Sequence, residues 1–393
     1  MNNQRISHVA PYWRLSSFYF FYFASLGALI PYWSLYLKSL DYSAQSIGIL
    51  MAIIPATKIV APYLWGWLAD HTRHPIAIIR MANLLAVVAF AGVFVDTGFI
   101  WLSLVLLAFS FFWNSSLPLF EAMTLNHLGD DEHRYSVVRL WGSLGFIMMV
   151  VLLGEYFDMT SIDRAPIVIV ILLAGILLVS LIVPERLSTH HEGQVPIIHV
   201  IREPVVLAFL LVCFLMLMSH GPYYTFYSIY LESHGYSRGM IGLLWAIGVM
   251  AEVIVFLMMH RLLLTIDMRK LLLITFLLTA LRWVLIGFFV DNLSVLFFAQ
   301  LFHAFSFGVF HAVSISLVHR FFTGRHQGRG QALYASLSFG AGGAAGSLLS
   351  GLLWDRIDHA WLFSLAAAVA VIAFLIVWRF IHFTTHQNTS SAG

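Results

Sequence analysis

Five ionisable side chains, Lys58, Glu121, Arg139, Glu252 and Arg282, interrupt stretches of this 393-residue chain that are otherwise apolar. Each costs about 2.5–3.5 kcal/mol at the centre of an apolar helix, so five of them demand either partners or water. Their chemistry is that of handling protons and anions. A carboxyl group can take up and release a proton, and a guanidinium fork grips a carboxylate at two points. Three cations against two acids leave a formal charge of +1, and protonating Glu252 makes it +2. The second balance favours an organic monoanion. The alternative is that these residues are ion pairs locking helices together.

Helical spacing supports a shared lining. Asn114, Leu117 and Glu121 fall on one stripe, and Arg139, Gly142, Ser143 and Phe146 on a second. Gln300, His303, Phe307, His311 and Ser314 make a third, polar at every position but one. Tyr22, Tyr224 and Tyr227 lie deep enough in their segments to flank a ring-bearing substrate, although aromatics of this kind also serve packing and interfacial belts. Gly340, Gly342, Gly343 and Gly346 suit close helix contact rather than phosphate binding, since no strand precedes them and no GK[ST] follows.

The elements that must position these residues are membrane helices. Hydrophobic residues make up 60% of the chain and charged residues 10%, and the mean hydropathy is +0.87. A water-soluble domain of this size needs more polar surface, so the composition predicts an integral membrane protein. Twelve all-α spans are expected, near 12–37, 46–69, 75–95, 99–126, 135–157, 165–183, 205–231, 239–261, 270–290, 293–319, 329–354 and 360–382. The first reads as a retained helix rather than a signal peptide, because no small-residue cleavage site follows it.

Residues 25–53 align without a gap on 219–247, with 13 of 29 positions identical at a constant offset of 194. The chain therefore reads as two pseudo-symmetric six-helix bundles, residues 1–183 and 205–393. A polar, proline-containing linker joins them over 184–204. Six spans per half is even, so the repeat is parallel. The offset also sets Lys58 against Glu252. Fourteen Lys/Arg fall on the side holding both termini and the linker and four on the other, which makes both termini cytoplasmic in a bacterial inner membrane. The tail after His386 reads as disordered, and the lone Cys213 as inert packing.

The whole chain resembles the major facilitator superfamily. The run Gly66-Trp67-Leu68-Ala69-Asp70-His71-Thr72-Arg73-His74 is similar to that family's loop motif, one residue short and with His71 where a basic residue is usual. The resemblance implies a conformational latch of Gly66, Asp70 and Arg73 that does not touch substrate. Pro118 to Ala122 and Arg139 to Gly142 resemble the proton-coupled sugar symporters typified by lactose permease, which implies substrate binding by Glu121 and Arg139. Glu252, Arg282 and His303 resemble that branch's coupling residues. Ser306 and Gln300 replace an acid and a lysine there, so Glu252 inherits the proton role. Closer still is the phenylpropionate permease family, through Pro31 to Lys38, Val138 to Ser143, Leu244-Trp245, Ala251 to Ile254, Arg282-Trp283 and His303.

The expectation is thus proton-coupled uptake of a small organic solute by alternating access, an aromatic monocarboxylate such as a phenylpropionate-like acid. Lys58, Glu121, Arg139, Asn114, Tyr22, Tyr224, Tyr227 and His311 are the candidate substrate contacts. A proton symporter for a neutral sugar or nucleoside is the alternative, with drug efflux and a transport-dead receptor behind it. No HExxH, GxSxG or P-loop spacing occurs, so neither an enzyme nor an ATP-driven pump is expected. The partners are a small molecule, protons and lipid, acting on a monomer. Neither nucleic acid, a metal nor a cofactor beyond the proton gradient is expected.

Overall fold

In lipid, a backbone group without a partner costs several kcal/mol, so a chain this apolar must fold into helices that satisfy themselves. The computed structural model describes residues 11–185 and 197–382, and no strand occurs among them. Twelve helices are long and apolar enough to cross a membrane. They are α1 Tyr12–Ser39, α2 Ala44–Thr72, α3 Pro75–Phe94, α4 Phe99–Leu128, α5 Tyr135–Met159 and α6 Ile162–Ile182 in the first half. The second half holds α7 Pro204–Ser233, α8 Arg238–Thr265, α9 Met268–Phe288, α10 Leu293–Phe321, α11 Gln327–Trp354 and α12 His359–Phe380. Most of the linker and the polar tail lie outside the described residues. Cys213 is buried, its Sγ 3.8 Å from Ser314 Oγ.

The internal echo has a structural cause: equivalent residues do equivalent work. Ser43 and Ser237 cap α2 and α8, each accepting a hydrogen bond at 3.2 Å from the backbone N–H of Ser46 or Met240. The Tyr42 hydroxyl donates to the Thr97 carbonyl, and the Tyr236 hydroxyl to the Val290 carbonyl at 2.8 Å. Gly48 and Gly242 each let the two halves touch. A Cβ on Gly48 would stand 2.6 Å from the Gly351 Cα, and one on Gly242 would stand 2.6 Å from the Tyr32 hydroxyl. Helix α2 therefore packs on α11, and α8 on α5, with backbone against backbone.

These contacts gather at one end of the molecule, away from where the chain enters α1 and leaves α12. There Lys38 Nζ meets Glu232 Oε2 at 3.4 Å. The two residues sit at equivalent positions of the repeat, so they can meet only close to the axis relating the halves. Glu232 also holds Arg238 at 3.0 Å, while Asp158 accepts from the backbone N–H groups of Arg238 and Gly239 at 2.9 and 2.8 Å. These contacts tie the halves together at the far end.

Four of the twelve helices are irregular at mid-depth, α7 through a break at His220, which periodicity did not foretell. Helix α2 tightens to a 3-10 turn over Thr57–Ile59, α10 widens to a π-helix over Ala304–Val309, and α11 does so over Ser336–Gly342. Pro55 helps to explain the first, since it lacks the N–H that would continue the ladder. At the same break the Ile54 carbonyl accepts from Thr57 Oγ1 at 3.0 Å and Asn114 Nδ2 at 2.8 Å. Such irregular turns persist in membrane helices where side chains re-satisfy the backbone or where they border a cavity.

Candidate functional site

Lys58 on α2, Arg139 on α5 and Glu252 on α8 belong to helices that pack across the seam between the halves, whereas Glu121 on α4 and Arg282 on α9 reach them from within their own half. Arg139 on α5 places its Nε 3.5 Å from Glu121 Oε1 on α4, with 31% and 35% of the two side chains exposed. Its guanidinium lies 3.9 Å from the Phe23 ring centroid. Gly142, one turn on, leaves the room: a Cβ there would stand 2.9 Å from Arg139 Nη1.

Arg282 on α9 is sealed, with no exposed surface. Its acceptors are all neutral. Nη1 donates to Ser306 Oγ at 3.0 Å and to His303 Nδ1 at 3.1 Å, and Nη2 donates to Gln300 Oε1 at 2.9 Å. Two rings face the guanidinium, Tyr223 at 4.2 Å and Trp283 at 4.8 Å. Desolvating a guanidinium costs several kcal/mol, so bonds and ring faces must offset that together.

Because His303 accepts through Nδ1, its ring proton must sit on Nε2. That nitrogen lies 3.6 Å from Glu252 Oε2 on α8, too long for a hydrogen bond. The order is therefore Arg282, His303, Glu252, with the imidazole between cation and acid. Gln300 completes the scaffold: Tyr223 donates to its Oε1 at 3.0 Å, and its Nε2 donates to the Tyr227 hydroxyl at 2.5 Å.

Lys58 rides on the α2 break. Among the described residues it pairs with no carboxylate; its Nζ stands 5.9 Å from the Phe339 ring centroid on α11. His311 Nδ1 bonds the Tyr334 hydroxyl at 3.1 Å. Tyr224 keeps partial exposure and stacks on His220 and Trp245.

A family model described as the MFS_1 like family matches residues 12–365. The chain belongs to that family. Among curated proteins it is similar to the probable 3-phenylpropionic acid transporter of Escherichia coli (strain K12), 28% identical over 366 residues, or 90% of this chain and 94% of that protein. A maltose permease of Geobacillus stearothermophilus is 36% identical over 143 residues, 36% of each chain. Among solved structures, a mutant of the nucleoside transporter NupG superposes with a TM-score of 0.84 at 16% identity, covering 94% of this chain and 100% of that one. This is an MFS transporter, not an enzyme.

Three expected contacts, Tyr22, Tyr227 and Asn114, are buried in the helix packing. Tyr22 is 4% exposed and stacks flat on Trp113 at 4.9 Å. Tyr227 is sealed and serves Gln300. Asn114 staples α4 to the α2 break, giving its Nδ2 to Ile54 O and Thr57 Oγ1 at 2.8 Å each. In the expected latch, Gly66 meets nothing within 4 Å of an added Cβ, and Arg73 closes α2 in a left-handed turn at φ 58°. Asp70 is exposed and makes no ion pair among the described residues. The reading of the stripes passed over Tyr223 and Phe339. Tyr223 looked like one aromatic among many, and Phe339 gave no signal within a glycine-rich run.

Proposed function

We propose that the protein is a proton-coupled importer of a small aromatic monocarboxylate, working by alternating access as a monomer in a bacterial inner membrane, with both termini cytoplasmic. A charge balance supports the reading: Lys58, Arg139 and Arg282 outnumber Glu121 and Glu252, with Glu121 paired to Arg139 and Glu252 facing the His303 ring. The surplus positive charge suits one carboxylate. The name of the Escherichia coli relative supports an aromatic acid.

The contacts that join the halves at the far end, with Lys58, Glu121 and Arg139 partly exposed, support an inward-facing form. In the transport cycle Glu252 takes up a proton from outside, which raises the chamber charge and admits the anion. Anion and proton together add no net charge, so the site returns from +2 to its resting +1, the halves rock, and both leave inside. His303 relays the state of Glu252 to Arg282, the fixed charge of the C-terminal half. Glu252 is the proton carrier because it is the acid not held by a permanent cation.

Competition on purified protein tests the substrate class. Thermal stabilisation by 3-phenylpropionate, with none by uridine or maltose, is the expected result. Stabilisation by uridine or maltose and none by the acid would overturn the reading in favour of a neutral-solute symporter.

A further inference from the structure

On the reading that the cargo is an aromatic monoanion, on which this inference rests, the chamber must hold a carboxylate and a ring at once. Arg139 is engaged by Glu121, and Arg282 is sealed among neutral acceptors. That leaves Lys58, partly exposed and facing no acid among the described residues. Its backbone belongs to the Thr57–Ile59 turn, which Asn114 pins to α4, so the ammonium projects from a fixed point.

The ring has a place beside it. Phe339 on the α11 π-helix stands at 63° to Phe307, with centroids 6.0 Å apart, and at 67° to His311, 5.9 Å apart. Phe307 and His311, stacked along α10, are nearly parallel at 13°. The three make a two-walled corner, and each keeps partial exposure, whereas Tyr334 behind them is 1% exposed. A flat ring placed there stacks on one wall and offers its edge to the other, the arrangement that aromatic quadrupoles favour. The corner belongs to α10 and α11 and Lys58 to α2, so a ligand spanning them touches both halves.

We infer that Lys58 is the carboxylate anchor and that Phe307, Phe339 and His311 form the aryl wall, so that the site selects arylalkanoates with a short flexible spacer. The spacer follows from the ammonium standing over the face of Phe339. A carboxylate must turn out of the plane of a ring stacked there, which a saturated chain permits and direct attachment, as in benzoate, does not.

Calorimetric titration of the purified full-length protein with 3-phenylpropionate, benzoate, 3-phenylpropanamide and hexanoate tests this. Wild type should bind 3-phenylpropionate more tightly than benzoate. Lys58→Gln should weaken 3-phenylpropionate about ten- to a hundredfold, the range for a lost hydrogen bond to a charged group, and leave the amide unchanged. Lys58→Arg should retain most of the affinity. Phe339→Leu should weaken 3-phenylpropionate about three- to tenfold and hexanoate hardly at all. Unchanged affinity in Lys58→Gln, with loss in Arg139→Gln, overturns the anchor and leaves the proposed function standing. If wild type binds none of the acids, the proposed function itself falls. Should Lys58→Gln fail to fold, the Phe339→Leu comparison decides: equal losses for the two acids, or none, overturn the aryl wall.

Discussion

Arg282 has three donor contacts on neutral groups and none on a carboxylate. A lysine at that position carries the charge but cannot hold His303, Ser306 and Gln300 together in one plane. Arg282→Lys should therefore lower stability by about 1.5–3 kcal/mol for each charged hydrogen bond lost, seen as a fall in unfolding temperature; an unchanged midpoint would remove Arg282 from its place as organiser. Glu252→Gln makes a different demand. It should abolish accumulation driven by a pH gradient yet leave exchange of labelled for unlabelled substrate, because the chamber keeps its cations. Survival of accumulation would place the proton elsewhere. The charges themselves were legible in the sequence, since an ionised residue inside an apolar run stands out at once. Their wiring was not. Nothing in residue spacing says that His303 stands between Arg282 and Glu252, or that Glu121 takes Arg139 as its partner, because both depend on side-chain rotamers across different helices.

At the scale of helices, the breaks in α2, α10 and α11 put the functional groups where they are. The stripe drawn through Gln300, His303, Phe307 and His311 runs through the π-turn at Ala304–Val309, where the rings of His303, Phe307 and His311 stack one on the next, but its ends take different partners. Gln300 and His303 then turn toward Arg282, while His311 turns toward Tyr334 and Phe339. Local composition carries little sign of this: Ser336–Gly342 reads as a small-residue packing run, and only Pro55 hints at the α2 turn. Asn114→Leu tests the staple, since it leaves the Ile54 carbonyl with Thr57 alone. We expect a loss of about 1–3 kcal/mol in stability, the cost of an under-satisfied buried polar group, and weaker binding through a displaced Lys58. Wild-type stability and affinity in that variant would mean that the turn needs no support from α4.

For the molecule as a whole, the repeat in the sequence foretold the essential geometry. Matching residues cap matching helices, Gly48 and Gly242 bring the two halves into contact, and Lys38 finds its own equivalent Glu232 across the axis. Which end is closed was not legible, because both ends of a rocking transporter are written into the same sequence. Gly48→Leu, with no space before the Gly351 backbone, should hold the far end apart. A cysteine in place of Lys38, in a Cys213→Ser background, should then react faster with a membrane-impermeant maleimide. An unchanged rate would show that the α2–α11 contact does not set the seal.

The account as a whole rests on a proton and an aromatic carboxylate moving together through one charged chamber. Uptake of radiolabelled 3-phenylpropionate into proteoliposomes, acidic outside and alkaline inside, measures that directly. The account predicts accumulation above the external concentration that collapses when a protonophore is added and is absent from Glu252→Gln vesicles. Equilibration that ignores the gradient, or the same accumulation in the Glu252→Gln protein, would contradict it.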